Sequence, residues 1–213
     1  MKYWLDCEFD EHDGTIVLIS IGMVDEDGRE FYAESSEVDW GKVDPWILEN
    51  VRPHLLGNAI PRSQIRDGIV GFIGEDTPEF WAYNGAFDWV SLCSLFGRMI
   101  DLPKGWPHRH RELKDEMERL GVKKSELPEQ VGTAHNALAD AQWNRRASRF
   151  LDGARQTFGE GPQARALYRS WASAREANAQ RDPAERESIA KGFQHAADRA
   201  QAVRDGRLDP MSA

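Results

Sequence analysis

K2-Y-W-L-D-C-E-F9 and, across E11-H-D-G14, T15-I-V-L-I-S-I-G-M-V24 read as two strands joined by a turn, the second richer in β-branched residues. Alternate residues of a strand face opposite sides. The first strand therefore presents Asp6 and Glu8 together on one face and Leu5, Cys7 and Phe9 on the other, an acidic side and a core side. D25-E-D-G28 supplies a second turn, leading into R29-E-F-Y-A-E34 as a third strand. Three strands joined by short turns predict an antiparallel meander.

Outward from the meander, residues 43–56 read as a helix that Pro53 interrupts, and 63–73 as a helix with Ile65, Ile69, Phe72 and Ile73 at helical spacing. A buried strand follows over 79–83, then a break at N84-G85 and an apolar helix over 87–96. Residues 109–120 read as a helix stopped by Gly121, and the next helix carries T133-A-H-N-A-L-A-D-A141 and runs on through Leu151. The expected fold is α/β, a mixed sheet with an antiparallel three-strand section flanked by helices. The domain is expected to span 1–153. Residues 154–213 are expected to form a helical hairpin extension. Its first helix has a stripe through Leu167 and Trp171, and its second opens on Asp182, Pro183 and Glu185 and buries Ile189, Phe193, Ala196, Ala200 and Val203.

With 40% hydrophobic and 30% charged residues, the chain has no apolar run near the roughly 18–20 residues of a helical membrane span. It begins directly on a strand-like run, so no signal peptide and a cytoplasmic location are expected. Cys7 and Cys93 form no C-x-x-C pair and are read as reduced, buried thiols. Residues 1–150 carry 17 Lys and Arg against 27 Asp and Glu, and the remainder 10 against 9, so the acidic excess lies in the first part. That argues against a protein that coats nucleic acid by neutralising phosphates. It leaves open an enzyme that grips a strand end through bound cations.

Four acids account for such cations. Asp6 and Glu8 share a strand face, Asp88 stands between Phe87 and Trp89 just after a buried strand, and Asp140 lies in an Ala- and Leu-rich helix. The D-x-E pair, Asp88 and the His135 that precedes Asp140 each have a bland alternative: an acidic strand end, a first-turn aspartate and a structural histidine. Together they could hold two divalent cations about 4 Å apart against a phosphoryl centre, with Mg²⁺ or Mn²⁺ favoured by hard oxygen ligands. Deprotonating a water is then left to His135. Its five-residue separation from Asp140 is about 500° on an ideal helix, so the two would not share a face well inside one; one way out is for His135 to stand at or before the first turn, with Thr133 or Asn136 as the N-cap.

D6-C-E8, W81-A-Y-N-G-A-F-D-W89 and H135-N-A-L-A-D140 resemble the three motifs of the DEDD exonuclease superfamily, in its histidine subclass. The resemblance implies a ribonuclease-H-like fold and removal of nucleotides from a 3' end with two metals. It makes Asp6, Glu8, Asp88 and Asp140 metal ligands and His135 the general base. Over residues 1–150 the chain is most similar to the RNase AS family of 3'-5' exoribonucleases, through Y3-W-L-D-C-E-F9, T15-I-V-L-I-S-I-G-M-V24, D27-G-R-E-F-Y-A33, S63-Q-I-R66, W81-A-Y83 and E112-L-K114. That family acts on adenylate-containing RNA and is dimeric, which implies the 3' end of single-stranded RNA as substrate and a homodimer.

Phe9, Trp81, Tyr83 and Phe87 are candidates for stacking on a base or sugar, and Ser63 and Gln64 for hydrogen bonding a nucleotide. Core packing for the aromatics, and a helix cap and a surface amide for the other two, are the alternatives. P107-H-R-H-R111 is either a guide for the RNA backbone or a solvated helix start. Two competing functions stand beside the exoribonuclease: a 3'-5' exodeoxyribonuclease using the same site, and a non-catalytic acidic interaction module.

Overall fold

The computed structural model describes residues 1–12 and 14–179. Its centre is a five-stranded sheet of β1 (Lys2–His12), β2 (Thr15–Asp25), β3 (Glu30–Glu34), β4 (Glu79–Ala82) and β5 (Arg111–Glu112), in the order β3-β2-β1-β4-β5. The pairs β1/β2 and β2/β3 are antiparallel, whereas β1/β4 and β4/β5 are parallel. The expected meander forms half of a mixed, ribonuclease-H-like sheet. The register of β1 against β2 shifts between Glu8 and Phe9, a bulge at the acidic end of the strand.

Helices cover both faces. Tyr3, Leu5 and Cys7 of β1 join Ile21 and Met23 of β2 in a core closed by α2 (Arg62–Ile73) and α3 (Ala86–Ser94), through Ile65, Ile69, Trp89 and Leu92. A fully buried Leu or Ile contributes about 1.5–3 kcal/mol, so this layer offsets the cost of burying acids on the other face. There α5 (Ala137–Phe158) lies against β1 and β2 on a stripe of mostly small residues, Ala137, Ala141, Asn144, Ala147, Ser148 and Leu151. Asn144 Nδ2 donates to the Leu5 carbonyl at 2.9 Å, tying the helix to the strand that carries the acids.

Pro53 acts as expected. The helix of 43–56 is shortened to α1 (Pro45–Asn50), and Pro53 sits in a following 3-10 turn. The helix expected over 109–120 is corrected in its first residues: Arg111 and Glu112 pair with β4 as β5, and α4 (Leu113–Leu120) begins only afterwards. Glu112 is the reason, because its side chain caps α4 by accepting from Lys114 N at 3.0 Å, a role that needs extended backbone at the cap.

α5 passes through Gly153 without a break. The chain divides into two compact units, Met1–Arg165 and Ala166–Ala213. α6 (Pro162–Ala179) enters the second, where Leu167 and Trp171 are exposed. The second helix of the expected hairpin, from Asp182 to Val203, lies outside the described residues. No helix among the described residues is long and apolar enough to cross a membrane. Cys7 and Cys93 are free and buried, as read from the sequence.

Candidate active site

The acids of β1 meet an acid of α5. Oxygen atoms of Asp6, Glu8 and Asp140 lie within 4.8 Å of one another. Gly22 makes this approach possible: it stands opposite Asp6 on β2, and a Cβ there would collide with the carbonyl of Ala137, the first residue of α5. The close backbone contact brings Asp140, three residues on, down onto the strand.

Asp88 arrives from α3. The register of β1 with β4 runs only to Trp4 and Trp81, so the N–H of Cys7 has no β4 partner. Asp88 Oδ1 accepts from it at 3.0 Å. One carboxylate thus completes the hydrogen bonding of the strand beyond its neighbour's end and stands beside the acidic group, outside the set of three within 4.8 Å but close enough for its charge to act on Asp6 and Glu8.

The charges press on one another. Burial, followed by the charges of Asp88, Asp140 and Glu8, holds the Asp6 carboxyl well above the usual range. Burial, then Asp140 and Asp88, pushes Glu8 up to about 8. Burial likewise raises Asp88 to about 7, against the opposing Cys7 N–H and His110, and burial raises Asp140. Among the described residues no Lys or Arg is ion-paired with any of the four. A desolvated set of oxygen donors without a protein cation fits a divalent metal such as Mg²⁺ or Mn²⁺.

The histidine stands where the spacing requires. Asn136, rather than Thr133, is the N-cap of α5 and accepts from Ala139 N at 3.0 Å. His135 precedes it in a left-handed conformation, φ 63°, and is therefore outside the helix. Burial raises the Asp140 carboxyl, opposed first by Gln130 and then by the His135 charge and the nearby main chain of His135 and Asn136. The exposed imidazole packs perpendicular to the indole of Trp46, ring centres 5.0 Å apart. Gln130 Nε2 also donates to Asp140.

The other sequence candidates fall in different places. Phe87 is 42% exposed beside Asp88, its ring 5.5 Å from that of half-buried Phe9. Trp81 is buried in the sheet, its indole N–H on Glu79 and the Lys2 ammonium over its ring. Tyr83 is edge-on to Trp143, with Lys114 and Lys124 over its ring. Ser63 and Gln64 are exposed in the first turn of α2. Pro107, Arg109 and Arg111 of the basic run line a surface with Met1 and Lys2 at the start of β1, whereas His110 turns to α3, its ring 6.0 Å from that of Trp89 and its charge acting on Asp88.

Three residues carry weight that the sequence reading did not assign. Gly22, a lone glycine inside a β-branched run, was a readable sign of close backbone approach. Trp46, 50% exposed beside His135, comes from α1 and had no such sign. Glu112 binds backbone N–H groups of Asn84, Gly85 and Lys114. Burial favours its neutral form, but His110 and those three N–H groups prevail and hold it down at about 2.

Residues 1–151 match the family model described as the 3'-5' exoribonuclease Rv2179c-like domain. Two proteins of Mycobacterium tuberculosis, the 3'-5' exoribonucleases Rv2179c (strain H37Rv) and MT2234.1 (strain CDC 1551), are each 40% identical over 158 residues, which cover 71% of this chain and 93% of theirs. Among solved structures, a complex of E. coli exonuclease I with single-stranded DNA aligns at 13% identity with a TM-score of 0.48, over 73% of this chain and 42% of the larger protein.

Proposed function

Because the chain belongs to the Rv2179c-like 3'-5' exoribonuclease family and is a nuclease by that membership, we propose that it removes nucleoside 5'-monophosphates from the 3' end of single-stranded RNA by two-metal hydrolysis. The observation that carries this is the convergence of Asp6, Glu8 and Asp140 within 4.8 Å on a partly buried surface, with no Lys or Arg among the described residues ion-paired with them. Two Mg²⁺ or Mn²⁺ ions bound there would supply an activated water and neutralise charge on the phosphate. Asp6, Glu8, Asp88 and Asp140 hold the ions. His135, exposed and outside α5, would accept the proton of the water. Asn136, the N-cap of the helix that carries Asp140, directly follows His135, so ligand and base are carried by one segment.

Phe87, with Phe9 behind it, offers a ring for a base near Asp88. Ser63, Gln64, Trp81 and Tyr83 are assigned to substrate more weakly, since Trp81 and Tyr83 already have packing partners. A preference for adenylate-containing RNA and a homodimeric state are proposed from the family likeness alone. A reducing, cytoplasmic setting agrees with two free, buried thiols.

The test is a pair of 5'-labelled single strands, oligo(A) RNA and its DNA counterpart, incubated with Mn²⁺, Mg²⁺ or chelator. A metal-dependent ladder shortening from the RNA 3' end is expected. Faster shortening of DNA would replace the ribonuclease reading with a deoxyribonuclease one. Binding without cutting in either metal would leave only an interaction module.

A further inference from the structure

We propose that Glu112 is a positioning residue of the metal site: from the end of β5 it clamps the turn that carries Asp88, and so sets the affinity for the divalent cation. This rests on the reading of Asp88 as a metal ligand. α3 has no cap of its own, because Gly85 at its N-cap offers no side chain. The Glu112 carboxylate supplies one from across the sheet, accepting from Asn84 N and Gly85 N at 2.8 Å each. The same carboxylate accepts from Lys114 N at 3.0 Å.

The turn it holds is one the chain does not adopt freely. Asn84 lies in the left-handed region, φ 60°, and Lys114 Nζ reaches its Oδ1 at 3.2 Å. A Cβ at Gly85 would collide with Ala82, and would sit 3.2 Å from the ring of His110. Beyond the turn, Gly85 O accepts from Trp89 N at 2.9 Å, and Asp88 reaches Cys7 N. Asp88 is therefore held from two ends, by β1 through Cys7 and by β5 through Glu112. A glutamine at 112 would turn one acceptor into a donor facing an N–H, loosening the turn without emptying the space.

Outer residues that orient metal ligands typically contribute 10–100-fold to metal affinity. In the full chain, Glu112→Gln is expected to weaken Mn²⁺ binding, measured by calorimetry, by about tenfold or more. KM for RNA should stay within about twofold, and turnover should recover at saturating Mn²⁺. Asp25→Asn serves as the structural control: Asp25 is also buried and holds a turn, through Arg29 N at 2.8 Å, but at the far end of β2. It should lower stability and leave Mn²⁺ affinity unchanged. Unchanged Mn²⁺ affinity in E112Q, or equal losses in E112Q and D25N, overturns the proposal. Should E112Q fail to fold, Lys114→Ala tests the same clamp through Asn84, and unchanged Mn²⁺ affinity there overturns it. A wild type that binds Mn²⁺ but cuts no RNA would sink the exonuclease reading and leave the clamp to be judged by calorimetry.

Discussion

Asp88 serves two functions that a pair of substitutions can separate. Its carboxylate is the acceptor for Cys7 N–H, and its charge is desolvated among like charges. Asp88→Asn keeps an acceptor and removes the charge, whereas Asp88→Ala removes both. The native carboxyl titrates at about 7 against an ordinary 3.8, so the folded state holds this proton more tightly than the unfolded chain. By linkage, metal-free stability must fall as pH rises from about 4 to about 7, and stay low above that. At about 1.4 kcal/mol per pH unit, the shift costs folding roughly 4 kcal/mol at pH 8, where the folded carboxyl is ionised, and roughly 1–2 kcal/mol at pH 5, where it is held neutral against an ionised unfolded chain. Asp88→Asn should therefore stabilise the metal-free protein, by about 2–3 kcal/mol more at pH 8 than at pH 5. Asp88→Ala should be less stable than Asp88→Asn at both pH values, by about 1–3 kcal/mol, for the stranded N–H. Urea unfolding in chelator at the two pH values measures both differences. Adding Mn²⁺ should favour the wild type, because only the intact ligand set gains full stabilisation from bound metal. A D88N protein no more stable than wild type at pH 8 in chelator, or one whose gain does not change with pH, would refute this account of the site.

Further outcomes follow from the same geometry. His135→Ala should slow hydrolysis by about 10²–10⁴-fold and leave Mn²⁺ affinity nearly intact, checked by rate and calorimetry on one preparation. Gly22→Ala should push the first turn of α5 off β2, destabilise the fold by about 1–3 kcal/mol and disable metal binding, read from urea unfolding and Mn²⁺ titration. With Glu8 raised to about 8, Mn²⁺ must displace protons, so metal affinity should rise with pH up to that value, with proton release visible as buffer-dependent binding heat. Trp46→Ala, which removes the indole against His135, should lower turnover several-fold without changing Mn²⁺ affinity, as separated by rates at saturating metal.

Much of the site was legible because the relevant periodicities are short. Asp6 and Glu8 had to share a face, since two residues is the period of a strand, and the structure joins them to Asp140. The displacement of His135 from the helix followed from its angle to Asp140, and φ 63° realises it. The sequence left the N-cap open between Thr133 and Asn136, and Asn136 takes the place. Arg111 and Glu112 were read as helix because the charged run continues into α4 without a break. A two-residue strand has too little pattern to announce itself, and exists only because β4 offers an edge.

By itself, then, the sequence determined four of the five strands, that the acids lie on one side of β1, and which family the chain belongs to; these depend on local periodicity and on ordered motifs. Tertiary structure alone decided how the acids are held. Gly22 matters because the backbone of Ala137 passes over it, Asp88 because β4 ends before Cys7, Glu112 because β5 brings it to a turn 27 residues away, and Trp46 because α1 places it on His135. Each of these contacts joins elements far apart in the chain. No local preference encodes them, because their energy depends on packing and hydrogen bonding that exist only once the sheet has closed.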